Sequence, residues 1–329
     1  MTSATIIGGG VCGLVVARAL RDRGAEVTLY DKGGAPGPHA CSWWAGGMLA
    51  PYCELESAEE DVVRLGAEAA DWWDAKTGCV TREGSLVVSA ARDQADLKRF
   101  ARRTRDFAEV GGAEIDRLEP DLGGRFSKGL FFEGEAHLSP RAALAALRDG
   151  LTKDGVAFID AEADPAAIKG LVIDCRGFAA SDDLSDLRGV KGEMLVLRCP
   201  DVSLTRPIRL LHPRIPLYVV PRGDGVFMLG ATMIESSASA HVTARSLLEL
   251  LSAAYALNPA FGEAEVLEIG VDTRPAFPDN LPRIRRDGEL VRVNGLYRHG
   301  FLLSPAVGRM VAEMIFDGTT PEVSDAVAA

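Results

Sequence analysis

The chain has 329 residues, more than one hydrophobic core ordinarily organises, so two domains are expected. Apolar residues make up 47% and charged residues 25%, the proportions of a soluble globular protein, and a net charge of −11 argues against nucleic acid or an anionic membrane surface as the main partner. The six cysteines match no metal or disulfide spacing, and no apolar stretch approaches the roughly 20 residues that span a bilayer, so no metal, no membrane and a reduced cytoplasmic setting are expected.

The apolar run 4–7 is followed at once by Gly8, Gly9 and Gly10, and Gly13 comes three residues later. An apolar-periodic stretch over 14–20 closes at Gly24, and a second apolar run over 26–30 ends at Asp31. The pattern predicts strand, tight turn, helix and strand, with an acid at the tip of the second strand. Each part has a task in binding a dinucleotide. Gly8 permits the sharp turn, Gly10 lets a pyrophosphate approach the backbone, and Gly13 lets the helix pack closely on the sheet. Val11 and Cys12 stand at the helix start, whose free N–H groups and dipole face the phosphates. Asp31, with Lys32 beside it, is placed to accept hydrogen bonds from ribose hydroxyls. The motif alone does not choose between FAD and NAD.

The segment 41–51 concentrates small residues between two tryptophans and a proline, which suits backbone lying flat against a ligand. A helix is expected over 59–76, a strand over 84–89 and a charged helix over 93–110. A strand and turn over 131–141 lead into a helix over 141–151, with Pro140 in its first turn. Short strands over 156–159 and 171–177 return to a parallel pattern, so the nucleotide domain is expected to be discontinuous. From Gly192 the strands lengthen: 193–197, 207–211, 217–221 and 226–232, the last two joined by Gly223-Asp224-Gly225 as an antiparallel hairpin. A helix over 243–257, a strand over 264–273, a proline-rich turn over 274–282, a strand over 290–294 and a last helix over 306–316 complete the chain.

Assembled, these pieces resemble the D-amino-acid oxidase superfamily of FAD enzymes, and within it most the glycine oxidases of thiamine biosynthesis. The markers run in order: Gly8 to Gly13 with Asp31; Ser42 to Pro51 followed by Glu54; His137-Leu138-Ser139-Pro140-Arg141; Tyr218-Val219-Val220-Pro221-Arg222; Gly230-Ala231-Thr232-Met233; Thr273-Arg274-Pro275; and Tyr297 to Pro305. The resemblance implies an α/β plus α+β fold: a discontinuous Rossmann-like FAD-binding domain (1–77, 129–188, 287–329) and an antiparallel-sheet substrate domain (78–128, 189–286). It implies non-covalent FAD, with Ser42, Ala45, Gly46, Gly47 and Met48 against the isoalloxazine ring. Val156 would contact adenine through its backbone, and Gly177 would close on the nucleotide. Arg298, His299, Gly300, Phe301, Leu302 and Leu303 would form a C-terminal turn whose N–H groups face the flavin's pyrimidine carbonyl.

Arg274 matches the family's substrate arginine, whose planar two-pronged donor suits a carboxylate. Arg298 matches a second arginine near the site, and Tyr218 and Met233 match residues lining the pocket. Asn280 and Arg283 replace smaller residues of the family, which bears on substrate size. The implied reaction is oxidation of glycine, or of a small amino acid such as sarcosine or D-alanine, to the imine, with dioxygen as electron acceptor and a homo-oligomer as the expected assembly. The alternatives are a D-amino-acid or sarcosine oxidase, a quinone-linked dehydrogenase, or a flavin-binding module without catalysis.

Overall fold

The computed structural model describes residues 2–212, 216–237 and 241–324. One layer is a six-stranded sheet in the order Arg283–Asp287, Leu290–Asn294, Leu171–Asp174, Ser3–Ile7, Glu26–Tyr30 and Ala157–Ile159. The last five of these run parallel, and Arg283–Asp287 returns antiparallel at one edge. Parallel neighbours require crossovers, and the helix Val11–Asp22 supplies the first. That helix packs against the C-terminal helix Gly300–Asp317, burying Leu14, Val15 and Leu20 with Leu303, Val307 and Val311 in one core.

The second layer is a nine-stranded sheet. Arg188–Arg198 lies within it, flanked on one side by Val226–Gly230 and on the other by the long strand Glu265–Ala276. Pairing is antiparallel except where Ser85–Ser89 runs parallel to Ile208–Leu211. The register of the long pair sets Arg274 opposite Val190 and Asp272 opposite Gly192. The helix Ala244–Leu257 is capped by Thr243, whose side chain accepts the Ser246 N–H, and it buries Leu250, Ala254 and Leu257 in this sheet's core. A small three-stranded sheet joins Met48–Leu49 and Val80–Thr81 to Ala136–Leu138.

Several elements differ from expectation. The helix expected over 59–76 is two, Glu60–Gly66 and Ala69–Thr77. The charged helix stops at Arg103, the chain reverses through Asp106 at φ 59°, and Ala108–Gly111 becomes a sheet edge followed by the helix Gly112–Leu118. Lys128–Phe132 lies in the nine-stranded sheet and Arg283–Asp287 in the six-stranded one, on the far sides of the boundaries placed near 129 and 287.

The C-terminal helix begins at Gly300, six residues before the expected start, and carries Pro305 inside it. Proline has no N–H for the carbonyl four residues back, which is that of Phe301. The Trp73 indole Nε1–H donates to that carbonyl at 2.8 Å, so the proline is accommodated without an orphaned acceptor.

Candidate active site

A cavity of about 1140 Å³ opens at the carboxyl ends of the parallel strands and continues onto the face of the large sheet. At its nucleotide end, Gly8 has φ +105° and a Cβ there would stand 2.5 Å from the Cys175 carbonyl oxygen. A Cβ on Gly13 would stand 1.8 Å from the Gly8 oxygen. Gly10 differs, since a Cβ there would meet only the Ser42 hydroxyl, at 3.5 Å. The glycines therefore divide into two that permit backbone packing and one that leaves room on the cavity side. The helix start carries no side-chain cap, and the Val11 N–H donates to Ser42 Oγ at 3.3 Å.

Asp31 stands at the tip of its strand. Its Oδ2 accepts from the Gly9 N–H, and its Oδ1 accepts from the Gly33 N–H at 2.8 Å with His39 Nε2 at 3.0 Å. Lys32 pairs with Glu162 at 3.6 Å on the exposed rim. Cys12 and Cys175 face each other with 3.7 Å between sulfurs, and the cysteines of the described residues are all free. Gly177, at φ +60°, lines the same end, and its carbonyl accepts from Asn294 Nδ2 at 2.8 Å. Open glycine turn, uncapped helix start and strand-tip carboxylate together fit the pyrophosphate and ribose of FAD.

Three residues expected at the cofactor do not line the cavity. Gly13 lies beneath Gly8, and Leu303 is fully buried between helix and sheet. Val156 precedes Ala157–Ile159, at the amino end of that strand, whereas ligands of parallel sheets sit at the carboxyl ends. Ala161, Glu162 and Ala163, just past the carboxyl end, line the cavity instead.

Ser42, Ala45, Gly46, Gly47 and Met48 line the cavity, as do Gly300, Phe301 and Leu302 of the C-terminal helix start. That helix has no side-chain cap, and its first internal bond is from the Leu303 N–H to the His299 carbonyl at 2.8 Å. Uncapped N–H groups at a helix start favour negative charge. A Cβ on Gly46 would come within 3.0 Å of the Tyr218 ring, and one on Gly230 within 2.5 Å of its hydroxyl. Both glycines thus make room for that phenol, whose pKa burial pushes up.

Arg274 projects from the long strand into the cavity. Its Nη1 donates to the Thr232 carbonyl at 3.0 Å, and it forms no ion pair among the described residues. Its guanidinium lies over Gly192, where a Cβ would stand 2.3 Å from Nη2. Met233 is 54% exposed at the mouth, with the Tyr297 hydroxyl and Arg298 each 3.6 Å from its sulfur.

Arg298 is already partnered. Its Nη2 lies 3.0 Å from Glu54 Oε2, and it also donates to Ser57 Oγ. Glu54 binds Arg209 through Oε1 and has His299 Nδ1 3.6 Å from Oε2. Burial alone would raise the Glu54 pKa, but Arg298 and Arg209 hold it well below the usual carboxylate range. His299, buried, has its pKa pushed down to about 4. One carboxylate between two guanidiniums ties together the short helix Pro51–Glu54, the large sheet and the C-terminal turn.

Arg209, His39 and Gly192 were not singled out from sequence, and Glu54 entered only as part of a motif. Among the described residues no three His, Cys, Asp or Glu side chains gather as a metal site, and no helix is long and apolar enough to cross a membrane.

The nucleotide turn, the two-layer architecture and the arginine-lined cavity define a flavin-dependent oxidoreductase, and the model of the FAD dependent oxidoreductase family matches residues 3–314. The chain belongs to that family, and FAD is its cofactor. It is 53% identical over 316 residues to a thiamine biosynthesis oxidoreductase, ThiO, of Rhizobium etli, covering 94% of each chain. It is 26% identical to a glycine oxidase of Pseudomonas aeruginosa, covering 98% of this chain and 96% of that one. The crystal structure of glycine oxidase from Bacillus cereus shares the fold with a TM-score of 0.82 at 22% identity, over 100% of both chains.

Proposed function

We propose that the protein oxidises glycine, or a comparably small amino acid, to its imine with dioxygen as electron acceptor, and that the imine serves thiazole formation in thiamine biosynthesis. The observation that carries this reading is Arg274: an always-charged, planar donor facing the cavity that forms no ion pair among the described residues, the nearby Asp272 included. A substrate carboxylate supplies the missing partner through paired hydrogen bonds. The similarity to ThiO and to the glycine oxidases supports the choice of substrate. In this reading the six-stranded sheet and its helices form the cofactor-binding unit, and the nine-stranded sheet forms the substrate unit.

FAD, when bound, supplies the acceptor for the hydride that leaves the substrate's Cα and passes the electrons to dioxygen as peroxide. The chain's own residues bind and orient. Arg274 fixes the carboxylate, and Tyr218, its phenol protonated, closes the pocket beside Gly46. Arg298, tied to the Glu54 carboxylate that it shares with Arg209 and to Ser57, shapes the wall beside Met233. No side chain is assigned as base; the amino group reacts in its uncharged form. The chain's contribution is proximity and electrostatics.

The test is oxygen uptake by the purified yellow protein with glycine, sarcosine and D-alanine. Peroxide formation with glycine is expected, and Arg274→Ala should lower glycine turnover by orders of magnitude while the protein stays yellow. A flavin spectrum with no uptake on any of the three substrates would sink the proposal.

A further inference from the structure

The segment Ala45–Gly47 separates two cavities. The large one lies on one side. On the other is a small cavity of about 200 Å³, lined by Trp43, Arg141 and Arg222 among others. Arg222 lies on the strand Leu217–Gly223 and sends its guanidinium to the back of this segment. Its Nη2 donates to the carbonyls of Gly46, at 2.7 Å, and Ala45, at 3.3 Å, and its Nη1 donates to the Leu138 carbonyl at 3.2 Å. It has no carboxylate partner among the described residues, unlike its neighbour Arg141, which pairs with both oxygens of Glu268. Burial lowers the Arg222 pKa to about 10, which still leaves it charged at neutral pH.

The peptide bonds around Gly46 are trans, and in a trans peptide the C=O and the following N–H point in opposite directions. Two carbonyls drawn back to Arg222 therefore turn the N–H groups of Gly46 and Gly47 forward. Neither N–H has a hydrogen-bond acceptor among the described residues, and both glycines line the large cavity. A guanidinium can hold two adjacent carbonyls at once because its donors form a rigid fork.

We infer that Arg222 is a positioning residue: by gripping the Ala45 and Gly46 carbonyls from behind, it aims two backbone N–H groups, backed by its own charge, at the place where the flavin ring gains negative charge on reduction. Preorganised donors of this kind stabilise charge that develops in a dry site. The inference rests on the family's FAD site and not on the choice of glycine as substrate.

The test compares the midpoint potential of bound FAD and the affinity for sulfite, which adds to oxidised flavins and leaves negative charge on the ring. The holoproteins measured are wild type, Arg222→Met, Arg222→Lys and, as a control, Arg141→Met. Arg222→Met should weaken sulfite binding at least tenfold and lower the preference for reduced over oxidised FAD by a similar factor, about 30 mV for a two-electron couple. Arg222→Lys, which keeps the charge but cannot hold both carbonyls, should lose at least threefold in each measure. Arg141→Met should leave both within twofold of wild type. If Arg222→Met does not fold, Arg222→Lys decides. Wild-type potential and sulfite affinity in either folded Arg222 variant would overturn the inference, as would an equal loss in Arg141→Met. Neither readout uses an amino acid, so failure here is distinct from failure of the substrate assignment.

Discussion

The guanidinium of Arg274 lies in the space a side chain at residue 192 would occupy: a Cβ on Gly192 would stand 2.3 Å from Nη2 and 2.4 Å from Cζ. The two residues belong to adjacent strands, and the missing side chain lets the guanidinium lie flat while Nη1 holds the Thr232 carbonyl. Gly192→Ala should displace the end of a flexible side chain and little else. The expected result is an unfolding temperature close to wild type with kcat/KM for the amino acid substrate reduced by roughly 10- to 100-fold, the cost of misplacing a reacting group by about 1 Å. Steady-state oxygen uptake beside a thermal melt checks this; an unchanged kcat/KM would remove Gly192 from the site.

Trp73 holds the C-terminal turn from outside the cavity. Its indole N–H answers the Phe301 carbonyl that Pro305 leaves without a helical partner, and its side chain is fully buried. Trp73→Phe keeps most of the ring volume and removes the donor. A buried carbonyl left unpaired costs about 1–3 kcal/mol, and the loss falls at the helix start that lines the cavity. Urea unfolding of the holoprotein should show this destabilisation, together with weaker FAD retention on dilution. Pro305→Ala in the same background should restore part of it by returning the helical N–H.

Local sterics were legible in the sequence, and long-range chemistry was not. A Cβ on Gly13 would strike the Gly8 carbonyl five residues back, a contact fixed within one turn that spacing alone reveals, whereas the Cys175 carbonyl that Gly8 meets lies at the end of a neighbouring strand. Arg274 stood out because prolines flank it in a family motif. Gly192 could not be read the same way, since its need arises from a residue 82 positions later on a neighbouring strand. Arg209 lies in a short apolar strand and finds Glu54 155 residues away, so its burial leaves no local trace. Val156, assigned to adenine by the resemblance alone, precedes its strand and is absent from the cavity lining, a position no apolar run marks. The last helix is expected only from 306, past Pro305, because the donor that lets the helix run through that proline lies at residue 73.

Glu54 is the one carboxylate shared by Arg209 and Arg298. Glu54→Gln keeps the shape and leaves two guanidiniums against each other, and removing one partner of a buried ionic group costs about 3–5 kcal/mol. The pH dependence follows from the direction of the shift. The carboxylate's folded pKa lies below its unfolded value of 4.5, so its stabilisation is complete above that value and declines as pH falls towards the folded pKa. The stability gap between wild type and Glu54→Gln should therefore be widest near pH 7 and narrow below about pH 4.5. Chemical unfolding at pH 7, 5 and 3.5 measures it; a gap that stays constant would mean Glu54 acts through packing alone.

His137 sets a second and separate acid response. It is buried on Ala136–Leu138 opposite Met48 and Thr81, its Nδ1 has no hydrogen-bond partner, and burial, with Arg222 and Arg206 nearby, lowers its pKa from 6.5 to about 4. Between those values the unfolded chain takes up a proton that the native state refuses, so stability falls as pH falls, by up to about 1.4 kcal/mol per pH unit from this residue. His299 shifts in the same direction and adds a comparable slope. Replacing His137 with leucine should remove its share, leaving a stability profile flatter by about that slope between pH 6.5 and 4 and parallel to wild type above pH 7. Urea midpoints of the FAD-saturated protein at pH 7.5, 6, 5 and 4.5 decide the matter. Parallel profiles through the whole range would place a proton on native His137 well above pH 4, which an unpartnered ring between two arginines does not favour.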